Sequence, residues 1–237
     1  MKQIIAMHGW CSDNTYWESW ENHFEADAWF WQSANRGYGS KNTWEPNWQE
    51  SIQNHLIYKK IIICHSFGIH LMSSKHLREA SHVVLINSFS RFIPKGRESR
   101  AIKAALFGMK QQIGKATEQK MIDKFYLKAN QPHQDQLIVQ EPFKEGISYQ
   151  GRKKLKMDLE VLINSQQLPI GLNPKAKVLV IDGEQDQIIS SSTKHILIKD
   201  LQNHLDKYPL HWRIKNEGHF IQPSKLIKRV KSWLIEA

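Results

Sequence analysis

The most informative pattern in the sequence lies at residues 61–71, which read Ile61-Ile62-Ile63-Cys64-His65-Ser66-Phe67-Gly68-Ile69-His70-Leu71. A β-branched run is typical of a buried strand, and the apolar spacing from Gly68 to Leu77 predicts a helix. A serine between such a strand and such a helix occupies a tight, strained turn that exposes its hydroxyl. Ser66 is therefore the candidate nucleophile, although a serine in this position can also serve only as a helix cap.

The neighbours of Ser66 bear on this choice. The turn is crowded, so the residues two positions before and after the serine must be small. Gly68 meets this requirement, whereas Cys64 stands where a glycine is usual. Cysteine is small enough to fit, but the motif departs from the usual pattern and leaves both interpretations of Ser66 open.

Five further apolar runs resemble the one before Ser66. Several are apolar at every position, as expected when helices cover both faces of a parallel sheet. Their alternation with helical spacing predicts an α/β fold with a mostly parallel sheet. The six predicted strands are Gln3–Met7, Ala28–Gln32, Lys60–Cys64, His82–Ile86, Lys177–Ile181 and Leu210–Ile214.

The strand spacing breaks once, between Ile86 and Lys177. Leu155, Leu159 and Leu162 recur there at steps of three and four, which is typical of a helix with one apolar face. A connection of this length without structure of its own is improbable. We therefore expect a helical lid at 88–173, inserted between two parts of the core at 1–87 and 174–237.

Two candidate acid–base residues follow later strands. Asp186 lies in the loop after the Lys177–Ile181 run, where a carboxylate can reach an imidazole, and we favour it over Asp182 beside the strand. His219 follows the last strand and is the natural general base. The chain order Ser66, Asp186, His219 is the order expected for a catalytic triad on a sheet of this kind.

The end of the first strand supplies a further feature, Met7-His8-Gly9-Trp10. In enzymes of this architecture such a loop helps to form an oxyanion hole. The backbone N–H groups of Trp10 and Phe67 are the predicted donors.

Composition limits the classes of function. The 237 residues are 41% hydrophobic, enough for one large domain or for one domain with an insertion, and 33 basic against 23 acidic residues give a net charge of +10. Two cysteines cannot form a disulfide framework, and no apolar run is long enough for a signal peptide or a membrane span. We therefore expect a cytoplasmic protein that binds no membrane. The histidine spacing supports no metal site, and we expect no cofactor.

The tryptophans are concentrated near the N-terminus, where seven of the nine lie between Trp10 and Trp48. Aromatic residues interleaved with cations can bind single-stranded nucleic acid. Few lysines lie near these tryptophans, so we expect them to line the core and the pocket, and we expect no nucleic-acid partner. Trp10 is assigned to the substrate pocket.

On these motifs the chain resembles the α/β-hydrolase superfamily over nearly its whole length. The resemblance implies a mostly parallel sheet, flanking helices and an inserted lid. The chain begins at the strand before His8-Gly9, so we expect the first two strands of the usual fold to be missing. Residues 35–40, Asn-Arg-Gly-Tyr-Gly-Ser, resemble a glycine-rich loop of the superfamily, with Arg36 in place of its proline.

A narrower resemblance is to the pimeloyl-[acyl-carrier protein] methyl ester esterases of biotin synthesis. It rests on His8-Gly9-Trp10, Ser66-Phe67-Gly68, Leu159-Glu160-Val161-Leu162 and Gly183-Glu184-Gln185-Asp186. This resemblance implies a serine carboxylesterase of biotin biosynthesis that hydrolyses an acyl ester through an acyl-enzyme. It also implies a strongly acidic acyl carrier protein as a partner.

Two basic segments fall within the predicted lid, at 91–103 and 152–156. Cations beside the pocket mouth would attract an acidic carrier protein. Arg97 and Arg100 are the predicted substrate-binding cations. The alternative, which the sequence leaves open, is that these segments are simply solvated surface.

Two other functions remain open at this stage. The same triad serves thioesterases and lyases that act on small metabolites, as in menaquinone-pathway relatives of the fold. The third possibility is a binding protein that keeps the fold without catalysis. The sequence does not determine the acyl chain, the leaving group or the oligomeric state.

Overall fold

A computed structural model describes residues 2–40, 42–49, 59–133, 143 and 146–236. Within these residues the chain forms one six-stranded sheet in the order β2-β1-β3-β4-β5-β6, and every neighbouring pair is parallel. The strands are β1 Lys2–Met7, β2 Phe30–Ala34, β3 Lys59–His65, β4 His82–Ile86, β5 Lys177–Gly183 and β6 Leu210–Ile214. The predicted α/β class and the parallel sheet of six strands are confirmed.

The second strand begins two residues later than predicted. The turn after the first helix continues through Ala28, whose backbone N–H donates to the Glu25 carbonyl at 2.9 Å. Ala28 has φ +58°, a left-handed conformation that a strand cannot include. The strand therefore starts at Phe30.

Helices cover both faces of the sheet. Consecutive strand residues point to opposite faces, so Ile61 and Ile63 of β3 enter one core and Ile62 and Cys64 enter the other. A 3₁₀ helix spans Asn14–Trp17, and the α-helices are α1 Glu18–Glu25, α2 Gly68–Leu71, α3 Ser74–Glu79, α4 Glu98–Gln112, α5 Glu118–Ala129, α6 Tyr149–Asn164, α7 Ser191–His204 and α8 Pro223–Glu236.

The helix predicted from Gly68 to Leu77 is divided into α2 and α3. Met72 has ψ 141° and therefore leaves the helical conformation. Ser73 begins the second segment, because its hydroxyl oxygen accepts a hydrogen bond from the His76 N–H at 3.2 Å.

Among the described residues of the long segment between β4 and β5 lie three helices, α4, α5 and α6, which agrees with the predicted helical character of the lid. They share a third apolar cluster with residues at the ends of the strands, including Trp10, Phe67 and Phe89. The domain limits at 87/88 and 173/174 stay predictions.

A buried carboxylate joins the lid to the core. Asp158 on α6 accepts two hydrogen bonds from the Arg36 guanidinium, at 2.7 and 2.6 Å, and one from the Tyr38 hydroxyl at 2.6 Å. The backbone is close here too, since a Cβ on Gly151 would lie 1.6 Å from the Tyr38 carbonyl oxygen. Glycine at position 151 therefore allows α6 to seat against the loop after β2.

Within the part of the chain described above, no helix has both the length and the apolar character needed to cross a bilayer. Four of the clustered tryptophans, Trp17, Trp20, Trp29 and Trp31, are buried in one apolar core, whereas Trp44 is exposed.

Candidate active site

Ser66 lies in a strained turn between β3 and α2. Its φ is +53°, which side chains other than glycine rarely adopt. The Ser66 N–H donates to the Ile86 carbonyl at 2.9 Å, and the Ser88 hydroxyl donates to the Ser66 carbonyl at 2.7 Å. The end of β4 thus holds the turn from both sides and keeps the Ser66 side chain at the carboxyl edge of the sheet.

Gly68 and Cys64, the two small residues on either side of Ser66, are explained by different contacts. A Cβ on Gly68 would lie 2.5 Å from the Met7 carbonyl oxygen, so no larger residue fits without moving β1. Cys64 is fully buried in the apolar core on the other face of the sheet from Ile63. The departure from glycine at position 64 is therefore accommodated by that core.

His219 and Asp186 are in direct contact. His219 Nδ1 lies 3.1 Å from Asp186 Oδ2, and both side chains are almost fully buried. The other Asp186 oxygen, Oδ1, accepts hydrogen bonds from the backbone N–H groups of Ile188 at 2.7 Å and Ile189 at 3.1 Å. With Nδ1 engaged, His219 Nε2 is the ring nitrogen left for a reacting group.

The charge of Asp186 is strongly stabilised. Burial by itself would raise the pKa of this carboxyl group, but His219 and Lys194 outweigh burial and lower the pKa to about 2. Asp182, the less favoured candidate, lies elsewhere and contacts His211 Nε2 at 2.8 Å. The structure therefore places Asp186, and not Asp182, beside His219.

His65 supports the loop that carries His219. Its Nε2 donates to the His219 carbonyl at 3.0 Å, and its ring stacks on Tyr16 with centroids 4.6 Å apart. Burial, assisted by the nearby His219, lowers the pKa of His65 to about 3, so the ring is neutral at ordinary pH. Asn87 adds a hydrogen bond to the same carbonyl at 2.8 Å.

The loop after β1 passes directly beside Ser66. A Cβ on Gly9 would lie 3.1 Å from the Ser66 Cβ, so the glycine allows this close approach. Among the described residues, neither the Trp10 nor the Phe67 backbone N–H donates to another backbone group. Both N–H groups are thus available for the oxyanion-hole role predicted for them.

His8 holds the loop after β1 in place through two hydrogen bonds. Its Nδ1 donates to the Gly9 carbonyl at 2.8 Å, and its Nε2 accepts from the Arg36 N–H at 3.1 Å. Burial lowers the pKa of His8, which favours the neutral tautomer that this donor–acceptor pair requires.

A cavity of about 360 Å³ opens onto Ser66 and His219. Trp10 lines it, with its indole Nε1 donating to the Leu155 carbonyl at 3.1 Å. The remaining lining is largely apolar and comes from the lid and the loops: Gly9, Ser12, His65, Phe92, Ile102, Ala105, Leu106, Met109, Gln112, Met121, Lys124, Phe125, Lys128, Leu159, Leu162, Ile188 and Phe220.

Arg97 and Arg100, the predicted substrate-binding cations, are exposed and do not line this cavity. Arg97 precedes the first residue of α4, and helical periodicity explains Arg100, because α4 turns Ile102, Leu106 and Met109 towards the cavity and leaves Arg100 outside.

The cations that line the cavity are Lys124 and Lys128 on α5, which sequence reasoning missed. They lie four residues apart, on one face of the helix with Met121 and Phe125. That spacing is the signal by which the sequence could have indicated them. Among the described residues, no group of three histidine, cysteine or acidic side chains is arranged to hold a metal ion.

Strand order, the turn at Ser66 and the lid between β4 and β5 together define the α/β-hydrolase fold. Comparison with solved structures agrees. The chain is similar to an enol-lactonase from Burkholderia xenovorans LB400 (TM-score 0.71, 12% identity, covering 99% of this chain and 91% of that one). It is also similar to a bromoperoxidase from Bacillus anthracis (TM-score 0.68, 15% identity, 99% and 91% covered).

An esterase from Exiguobacterium antarcticum is similar as well, with a TM-score of 0.64, 16% identity, and coverage of 99% of this chain and 92% of that one. No protein-family model and no curated protein sequence matches the chain. At these identities the structural likeness establishes the fold.

Proposed function

We propose that this protein is a serine hydrolase acting on carboxylic esters. The observation that carries the proposal is the contact between His219 Nδ1 and Asp186 Oδ2 at 3.1 Å, together with a strained serine, Ser66, that lines the same cavity as His219. The structurally similar proteins include esterases and other hydrolases, which supports the same class of reaction.

In the proposed reaction, Ser66 Oγ attacks the ester carbonyl carbon while His219 Nε2 takes the hydroxyl proton. Asp186 orients the imidazole and stabilises its protonated form. The N–H groups of Trp10 and Phe67 stabilise the negative charge on the former carbonyl oxygen. Collapse of this intermediate expels the alcohol, which receives the proton from His219 and leaves an acyl-enzyme.

Water completes the cycle. His219 removes a proton from a water molecule, whose oxygen attacks the acyl carbon, and the carboxylic acid is released as the proton returns to Ser66. The apolar cavity favours an acyl group with little charge near the ester, since an unpaired charge buried among these side chains would be costly.

The finer proposal concerns the substrate. We propose an ester whose acyl chain fills the apolar cavity and whose carrier is acidic, such as the methyl ester of a pimeloyl-acyl carrier protein. Lys124 and Lys128 at the cavity, together with the exposed Arg97 and Arg100 elsewhere in the lid segment, supply positive charge that suits such a carrier.

A fluorophosphonate probe with intact-mass readout tests the class of reaction. We expect one adduct on the wild-type protein and on Ser99→Ala, a lid serine outside the cavity, and none on Ser66→Ala. For an ester that the wild-type protein hydrolyses, Ser66→Ala is expected to lower the rate of hydrolysis by about three to six orders of magnitude. An equal adduct on Ser66→Ala would exclude the proposed nucleophile.

A second assay tests the substrate. Methyl-pimeloyl carrier protein and short p-nitrophenyl esters are compared at low and high salt. The carrier-linked ester is expected to be hydrolysed with a salt-sensitive kcat/KM, because screening weakens attraction between the basic lid and an acidic carrier. Turnover of the small esters alone, without a salt effect, would exclude the carrier protein. Turnover of only the corresponding thioester would indicate a thioesterase instead.

A further inference from the structure

Lys194 lies behind the carboxylate of the proposed triad. It belongs to α7, and its side chain is 14% exposed. Its Nζ donates to the Gly183 carbonyl at 2.7 Å and lies 3.5 Å from Asp186 Oδ2, the same oxygen that faces His219. These two contacts hold a positive charge beside the Asp186 carboxylate.

We propose that Lys194 is a positioning residue that limits how strongly Asp186 holds a proton on His219, and so sets the acid limit of the reaction. The inference rests on the proposed function. Lys194 itself does not line the cavity beside Ser66 and touches no reacting atom. Its effect is electrostatic and acts on the Asp186 carboxylate and on the positive charge that His219 takes up.

The other charged groups around this carboxylate are largely occupied with one another. His211 contacts Asp182 at 2.8 Å, and Arg213 lies 3.5 Å from Glu184. On the cavity side, His219 faces the neutral ring of His65. The remaining titratable or charged groups nearby are the exposed His195 on α7 and, on the loop before His219, Glu217 with its partners Lys225 and His133.

The sign of the effect follows from these positions. Asp186 stabilises the protonated imidazole that forms when Ser66 attacks, while the Lys194 charge opposes it and partly neutralises the carboxylate. Removing that charge makes His219 harder to deprotonate before attack. The midpoint of the acid limb of the pH–rate profile then moves to a pH about one unit higher. This is the size expected for one unit charge that is separated from His219 by the Asp186 carboxylate in a partly shielded site.

The test uses four variants on the full chain. Lys194→Gln and Lys194→Met remove the charge, and Lys194→Arg keeps it. Lys199→Gln makes the same change in charge at an exposed position of the same helix. For each folded variant, the rate of fluorophosphonate labelling and kcat/KM for a short p-nitrophenyl ester are measured from about pH 5 to about pH 9.

We expect Lys194→Gln and Lys194→Met to raise the midpoint of the acid limb by about one unit, with the alkaline plateau changed by no more than a few-fold. Lys194→Arg and Lys199→Gln should follow the wild-type profile. A merely structural role would lower the rate at every pH without moving the midpoint. Should one neutral variant fail to fold, the other provides the comparison.

Two outcomes would overturn the inference. One is a neutral variant whose midpoint coincides with that of the wild type, and the other is a shift in Lys194→Arg as large as in Lys194→Gln. Failure of the proposed function is distinguishable from both, because the wild-type protein would then show no labelling that depends on Ser66.

Discussion

The contact between Asp158 and Arg36 gives the sharpest prediction about stability. Asp158 on the lid helix α6 is 1% exposed at its side chain and accepts hydrogen bonds from Arg36 and Tyr38. Replacing Asp158 by alanine removes this acceptor and leaves the guanidinium next to an apolar methyl group. Breaking a buried ion pair from one side typically costs about 3–5 kcal/mol, because the remaining charge is uncompensated.

The expected magnitude lies near the lower end of that range. The Arg36 side chain is 25% exposed, so water compensates part of its lost partner. We therefore expect Asp158→Ala to lower the free energy of unfolding by about 3 kcal/mol. For a domain of this size, the melting temperature should then fall by roughly 6–12 °C.

Glu160→Ala provides the matched control on the same helix. Glu160 pairs with Lys110, but its side chain is 54% exposed, so its removal should cost at most about 1 kcal/mol. Urea unfolding followed by circular dichroism measures both variants. Tyr38→Phe removes one of the three hydrogen bonds and should fall between them. Equal losses for Asp158→Ala and Glu160→Ala would refute the idea that this buried carboxylate holds the lid to the core.

Three further predictions concern the site. Asp186→Asn should lower kcat by about 10⁴-fold because the amide favours the wrong imidazole tautomer, whereas Asp182→Asn should retain most activity; the opposite ranking in steady-state assays would make Asp182 the acid. Gly68→Ala should lose at least a few kcal/mol of stability or fail to fold, since the new Cβ would lie 2.5 Å from the Met7 carbonyl oxygen. The control Gly108→Ala adds a Cβ that meets no atom within 4 Å, and thermal melts should show a gain of about 0.5–1 kcal/mol in stability. The folded-state pKa of Asp186, about 2, lies below its ordinary 3.8, so its contribution to stability is complete above about pH 4 and is lost as the pH falls towards 2. Urea midpoints measured over that range should fall less steeply for Asp186→Asn than for the wild type, and parallel curves would contradict this linkage.

Local pattern was sufficient for much of the fold. The apolar runs at β1, β3, β4 and β5 are readable because a strand buried on both faces has no polar alternation. The positions of Asp186 and His219 were predictable for a related reason. Parallel strands all end at one edge of the sheet, so residues that follow separate strands are brought to the same place.

Boundaries that depend on backbone conformation were less predictable. The apolar spacing from Gly68 to Leu77 continues across Met72, where the chain is extended, because α2 and α3 both bury residues against the same sheet. Periodicity records which residues are buried and does not record a break between two short helices.

Charge placement depended on tertiary structure in the same way. The sequence indicated Arg97 and Arg100 as substrate cations because they lie in the basic segment 91–103, but the cavity is lined by Lys124 and Lys128 instead. Which cation faces the cavity is decided by how each lid helix is rotated when its apolar face packs, and the net charge of a segment carries no information about that rotation.

Local periodicity and the shared edge of a parallel sheet were enough to predict the α/β class, the strand before Ser66 and the chain order of the candidate triad. Three contacts depend on the folded structure: His219 with Asp186, which the sequence only favoured over Asp182, Lys194 with the same carboxylate, and Asp158 with Arg36 across 122 positions of the chain. Each of these contacts depends on how separate elements dock, and a pattern along the chain does not encode the distance between two side chains.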